Sequence, residues 1–168
     1  MRENRQPIGD VEGQIPALRR YARGLIGKDC ADPVASADEL VRKAVERERL
    51  ADRPPAQGSA RLRLFASLTS LNRTRLRAAP VKGPGTERPQ GVRDTLAQTP
   101  IDFREALLLV VVEGFSYAQA AQILGISRLG VANRMARARK EMSGPLESTL
   151  TGQARGKPGD PPYLRLVK

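Results

Sequence analysis

TPIDFREALLLVVVEGFSYAQAAQILGISRLGVANRMARARKEM, residues 99–142, reads as three successive helices, the last two folded as a helix-turn-helix. Thr99 is placed as the first N-cap, Pro100 at the first helical position, and Asp102 falls three residues after the cap. The run 107–112 is apolar at every position, so this helix is expected to be wrapped by neighbours. A buried strand is the competing reading, because three valines in a row favour β structure. The capping signal and the helical spacing of Phe103, Leu107 and Val110 favour helix.

After Gly114 the pattern repeats at smaller scale. Ser116 and Gln119 stand at capping-box spacing, and Ala120, Ala121, Ile123 and Leu124 supply the apolar contacts. The small alanines allow a second helix to cross closely. Gly125 suits the left-handed conformation that ends a helix, and Ser127 caps the next one two residues later. A short helix, a tight turn containing glycine and a basic helix form the helix-turn-helix signature.

At 100° per residue, Val131, Met135, Ala138 and Met142 share the face of the third helix that should pack on its neighbours. Asn133, Arg137 and Lys140 lie on the opposite arc, with Arg128, Arg134 and Arg139 flanking. Such a row presents cations to phosphates, while Arg128, Leu129, Gly130 and Asn133 at the N-terminal end reach base edges in a major groove. A solvated basic face is the alternative; the turn geometry favours DNA contact.

Composition points the same way. A net charge of +11 and a pI near 10.8 imply a polyanionic partner, most simply nucleic acid. An anionic membrane surface competes, but no helix pairs a basic face with bulky aromatics, which make up only 4% of the chain. A mean hydropathy of -0.42 and the lack of a long apolar run argue against a membrane span. The opening MRENRQPIGD has no hydrophobic segment of a secretory signal, so a cytoplasmic location is expected. With no His and only Cys30, imidazole-based triads and Cys/His zinc sites are excluded. Neither a phosphate-binding loop nor a dinucleotide fingerprint is present. No enzyme, metal, cofactor or small-molecule substrate is therefore expected, and Cys30 reads as a half-buried thiol in a loop.

Residues 1–12 are polar and read as loose. Ile15, Leu18, Ala22, Leu25 and Ile26 then recur at helical spacing, with Arg19, Arg20 and Arg23 on the other side. A second helix opens with the capping box Ser36-x-x-Glu39 and carries Leu40, Val41, Ala44 and Val45 inward. A third, from about 59 to 77, buries Leu64, Phe65, Leu68 and Leu71 and exposes Arg61, Arg63, Arg73, Arg75 and Arg77. Three amphipathic helices suffice for one small helical domain over 11–78. Residues 79–91, rich in Pro and Gly, cannot bury enough apolar area to offset their ordering entropy and read as a linker. A second domain of four helices follows over 92–142, beginning with a short helix around 92–98. Residues 143–168 read as a tail, linker-like to 160 and then ending in PPYLRLVK. The expected architecture is all-α: two small helical domains joined by a Pro/Gly-rich linker.

This layout resembles an extracytoplasmic-function sigma factor, the two-domain subgroup of the sigma-70 family. REALLLVVVEGFSYAQAAQILGIS (104–127) resembles its C-terminal promoter-reading domain. IPALRRYARGLIG (15–27) and RLRLFASLTSLNRTRLR (61–77) resemble the first and last helices of its polymerase-binding domain. The resemblance implies that the N-terminal domain meets the polymerase clamp and the −10 element, and that the C-terminal domain reads the −35 element. By that correspondence Asp38, Glu39, Val41 and Arg42 would bind core RNA polymerase. Arg128, Leu129, Asn133, Arg134, Arg137 and Lys140 would bind the −35 element, with Arg73, Arg75 and Arg77 along promoter phosphates near −10. Three departures stand out: Arg42 and Lys43 where the family often has Gln-Glu, Arg63 where it often has Trp, and Leu129, Gly130, Val131, Ala132, Asn133 and Arg134 where its recognition helix often carries Gly-Thr-Val-Lys-Ser-Arg, so that one cationic contact is gone. Two readings follow. One is an alternative sigma factor that directs polymerase to promoters and has an anti-sigma factor as a further partner. The other is a mimic, similar to the sigma-like domain of the general stress-response adaptor, which sequesters an anti-sigma factor without binding DNA. An unrelated helix-turn-helix regulator would need an effector or dimerisation domain that the sequence does not offer.

Overall fold

The computed structural model describes residues 9–26, 30, 32–51, 59–78 and 92–153, and all regular structure among them is helical. Residues 9–12, expected to be loose, form a short helical turn, α1 (Gly9–Glu12). Three longer helices complete the N-terminal half: α2 (Ile15–Leu25), α3 (Pro33–Leu50) and α4 (Ala60–Ala78). The C-terminal half comprises α5 (Val92–Gln98), α6 (Ile101–Leu107), α7 (Tyr117–Leu124) and α8 (Arg128–Gln153). The proposed linker, 79–91, and the terminal PPYLRLVK lie outside the described residues.

The apolar stripes fold inward as their spacing predicts. Leu18, Tyr21, Ala22 and Leu25 of α2 meet Leu40, Val41, Ala44 and Val45 of α3 and Leu64, Phe65 and Leu68 of α4, all buried. Tyr21 brings a hydroxyl into this core. Thr69 Oγ1 donates to the Phe65 carbonyl at 2.8 Å, which leaves the Tyr21 hydroxyl to donate to Thr69 Oγ1 at 2.9 Å.

Several local expectations shift. α3 starts at Pro33, ahead of the Ser36 box: Asp32 Oδ1 accepts from the Val34 and Ala35 amides at 3.1 and 2.9 Å. An Asp cap followed by Pro at the first position outcompetes a serine four residues after the Asp. Thr99 does not cap α6 either. Its hydroxyl donates to the Thr95 carbonyl at 2.8 Å, closing α5, and Pro100 holds the N-cap position of α6. The apolar run ends in a π-helical turn, Leu108–Val112, so only part of it is wrapped. Leu108 and Leu109 are buried, whereas Val111 and Val112 are exposed. The wider turn rotates Glu113 inward. At the other end, α8 continues to Gln153, so the first part of the expected linker-like tail is helical.

The two halves share one core. Phe115 packs edge-on against Phe65, ring centroids 4.9 Å apart, and Phe65 in turn lies 5.2 Å from Tyr21. Gly24 of α2 receives Leu108: a Cβ there would stand 2.7 and 2.8 Å from its two methyl carbons. The absent side chain is what lets these elements approach so closely.

Candidate nucleic-acid interface

The helix-turn-helix is held by local chemistry. Ser116 Oγ accepts the Gln119 amide at 3.2 Å, and Gln119 Oε1 accepts the Ser116 amide at 2.9 Å, completing the capping box. Gly125 ends α7 in the left-handed region, φ 66°. Ser127 Oγ then accepts the Gly130 amide at 3.0 Å, opening α8.

Val131, Met135 and Ala138 anchor α8 and are buried; the side chain of Met142 lies outside the described residues. Arg128, Leu129, Asn133, Arg137 and Lys140 are exposed, and Leu129 retains 69% of its accessible surface. Arg134 differs. Its guanidinium turns toward α6, 3.3 Å from Asp102 and 4.0 Å from Glu105, and the side chain keeps only 22% exposure. Position on a helical wheel does not capture this, because a long arginine stem reaches whichever neighbouring carboxylate is in range.

The cations of α4 divide similarly. Arg77 is exposed, and Arg75 is half-buried with Nη2 3.2 Å from Asn72 Oδ1. Arg73 is turned away from solvent-borne phosphates: it donates to the Glu105 carboxylate and to the Leu124 carbonyl. Arg61 and Arg63, read as exposed, are half-buried. Arg61 donates to the Glu113 carbonyl at 2.6 Å and lies 4.4 Å over the Phe115 ring, a cation–π contact. Arg63 stands 3.1 Å from Glu48.

On α3, Val41 lies in the core and offers nothing to a partner. The helix period puts it on the face shared with Leu40 and Ala44. Asp38 faces outward and pairs with Arg19 at 3.0 Å. Arg42 grips Glu39 with two bonds of 2.8 Å and reaches Glu46 at 3.3 Å, while Lys43 stands 3.2 Å from Glu39. Hydrogen bonds from Arg42 and Lys43 hold the Glu39 carboxyl down at about 2. The two unexpected cations are thus answered by carboxylates on their own helix.

Sequence reasoning missed the residues that join the halves. Glu105 and Glu113 are buried carboxylates flanking the run 107–112 read as apolar helix. Arg20 Nε and Nη2 each donate to Glu113 at 2.8 Å, spanning from α2 to the C-terminal half. Burial pushes the Glu105 carboxyl above its ordinary range, opposed by the hydrogen bonds from Arg73. Arg104 threads between helix ends, donating to the carbonyls of Leu25 at 3.2 Å, Thr99 at 2.8 Å and Ala97. A buried charge on a helix hints at a distant partner, but no spacing rule names it.

Comparison with known proteins bears on this geometry. Residues 90–142 match the model of sigma-70 region 4, and residues 11–69 match that of the Sigma2 domain of PhyR. The chain is 33% identical over 153 residues to the ECF RNA polymerase sigma factor EcfG of Rhodopseudomonas palustris strain TIE-1, covering 80% of this chain and 81% of that one. It belongs to the extracytoplasmic-function sigma factor family. Among solved structures, this ECF-family chain is similar to the sigma factor RpoE of Bartonella quintana in complex with the anti-sigma factor NepR. That likeness has a TM-score of 0.67 at 22% identity, over 83% of this chain and 95% of that one. The anti-anti-sigma factor PhyR of the same organism, complexed with NepR, matches with a TM-score of 0.59 at 20% identity, over 81% of this chain and 49% of that one. At these identities the structural likeness speaks for the fold. Among the described residues no helix is long and apolar enough to cross a membrane.

Proposed function

We propose that this protein is an alternative sigma factor that binds core RNA polymerase and directs it to promoters, with α8 reading the −35 element. The observation that carries the reading is the division of α8. Val131, Met135 and Ala138 fix the helix to the core, while Arg128, Leu129, Asn133, Arg137 and Lys140 stand on its open side. The curated relative named as an RNA polymerase sigma factor supports it. Arg137 and Lys140 serve phosphates, and Arg128, Leu129 and Asn133 serve base edges. Arg77, exposed at the end of α4, supplies a cation toward the −10 side, with Arg75 beside it. The outward face of α3, carrying Asp38, Glu39 and Arg42, meets the polymerase clamp. The protein acts by binding.

A second reading has its own support. The N-terminal half matches the Sigma2 domain of PhyR, and the two halves are docked, with Arg73 engaged across them and Arg134 turned toward α6. A sigma-mimicking adaptor would hold an anti-sigma factor in this way without needing DNA. The structural neighbours in complex with NepR make an anti-sigma factor a candidate partner under either reading.

Binding to a promoter duplex over a range of salt tests the assignment. Arg137→Ala should weaken binding to all sequences alike and flatten the salt slope by about one, whereas Asn133→Ala should change sequence preference. Retention on core polymerase with promoter-specific transcription supports the sigma factor. Retention on an anti-sigma factor without polymerase binding supports the adaptor.

A further inference from the structure

Arg73 leaves α4 and enters the other half of the molecule. Its Nη2 donates to Glu105 Oε2 at 2.5 Å, its Nε lies 3.0 and 3.2 Å from the two carboxylate oxygens, and its Nη1 donates to the Leu124 carbonyl at 3.2 Å. Glu105 has no exposed surface. Leu124 is the last residue of α7, so its carbonyl stands at the negative end of that helix, just before the Gly125 turn. One guanidinium therefore neutralises a buried carboxylate on α6 and closes the turn of the helix-turn-helix. A planar fork that grips a carboxylate in this way is equally suited to a phosphate.

The surroundings make the choice of partner exclusive. Further along α4, Arg77 is exposed, so a phosphate backbone lying along that helix would meet this cation while Arg73 is committed elsewhere. Arg134 is not in competition, because it sits on the same half as Glu105 and stays near it, 4.0 Å away, if the halves separate. That residual partner lessens the penalty of uncovering Glu105.

We propose that Arg73 is a latch shared between two exclusive partners: the Glu105 carboxylate, where it adds to the packing that joins the halves, and a DNA phosphate, which Arg73 meets only when they part. The proposal rests on the DNA-binding reading above. Coupling of this kind is reciprocal. A ligand that tightens the closed arrangement weakens DNA binding along α4 by the same factor, and DNA that captures Arg73 favours opening.

The test uses the full chain with Cys30→Ser, Arg49→Cys and Gln122→Cys, the last two exposed sites carrying a donor and an acceptor dye on opposite halves. Energy transfer reports closure, and binding to a mixed-sequence duplex over a range of salt counts phosphate contacts. Glu105→Gln should lower transfer and steepen the salt slope by about 0.9, one added phosphate contact. Arg73→Ala should lower transfer as much without steepening the slope. Should Glu105→Gln fail to fold by circular dichroism, Arg73→Lys takes its place. It keeps the cation, loses the fork, and should open the molecule with a steeper slope than Arg73→Ala. Unchanged transfer in these variants overturns the latch. Lowered transfer with identical slopes overturns the sharing of Arg73 with DNA. A duplex affinity indifferent to Arg137→Ala overturns the DNA-binding reading, and with it the phosphate side of the latch, whatever the transfer shows.

Discussion

Gly24→Ala probes whether the halves are docked in solution. The new Cβ would lie 2.7 and 2.8 Å from the two methyl carbons of Leu108, against an optimal carbon–carbon separation of about 3.5–4.0 Å. Leu108 is buried, 3% exposed, so its methyls cannot swing into solvent. Overpacking of this kind costs about 1–3 kcal/mol. Against it stands the gain of replacing glycine inside a helix, about 0.8–1.0 kcal/mol. The net expectation is a loss of about 0–2 kcal/mol by these two figures. Leu108→Ala alone should cost about 2–5 kcal/mol through lost burial and the cavity left behind. In the double variant the wedge has room, so Gly24→Ala should become stabilising by about 1 kcal/mol. The coupling between the two sites is then about 1–3 kcal/mol, measurable by urea denaturation of the four proteins with their m-values compared. Gly24 belongs to α2 and Leu108 to the turn after α6, so coupling requires the two halves to touch. Additive effects, with Gly24→Ala stabilising in both backgrounds, would refute the close approach of Leu108 to Gly24.

Two further outcomes follow from the buried carboxylates. Arg20→Ala leaves Glu113 buried without its two-bonded partner; because Arg20 is itself more than half exposed, a loss of about 1–3 kcal/mol is expected rather than the full cost of breaking a buried pair. Adding Glu113→Gln should recover part of that loss in a denaturation cycle, since the orphaned charge is gone, and no recovery would mean the pair is not formed. The Glu105 carboxyl is raised by burial, so the folded state binds its proton more tightly than the unfolded chain. Its contribution to stability is fully present below the ordinary value of 4.5 and is lost as pH rises through the raised folded value. Glu39, held low by Arg42 and Lys43, runs in the opposite sense, its contribution being lost as pH falls from 4.5 toward about 2. The difference between wild type and Glu105→Gln across acid pH isolates the first effect, and a difference independent of pH would show that the Glu105 carboxyl is not raised in the native protein.

What the sequence discloses and what it hides divide along one physical line. Ser116, Gln119, Gly125 and Ser127 act on backbone groups within a few residues, so their spacing alone announces the helix-turn-helix, and the hydrogen bonds occur where that spacing puts them. The all-apolar run 107–112 carries no facial information, which is why the exposure of Val111 and Val112 and the π turn beneath them were not legible. The caps differ from expectation at Ser36, where Asp32 with Pro33 opens the helix earlier, and at Thr99, where the hydroxyl is spent on the Thr95 carbonyl and Pro100 is left at the N-cap position without a side-chain bond. The contacts between the halves are a different kind of problem. Arginine offers five donors on a long stem, so its partner is set by the tertiary fold and not by its place on a wheel. Arg20, Arg61, Arg73 and Arg134 all sit on surfaces that periodicity marks as outward, and each finds its acceptor across a helix boundary. A charge excess of +11 therefore overstates the cations available to DNA, because part of it cements the protein. Arg137 and Lys140 are the sounder candidates for phosphate contact: they stand on the open side of α8, with Asn133 between them and the turn.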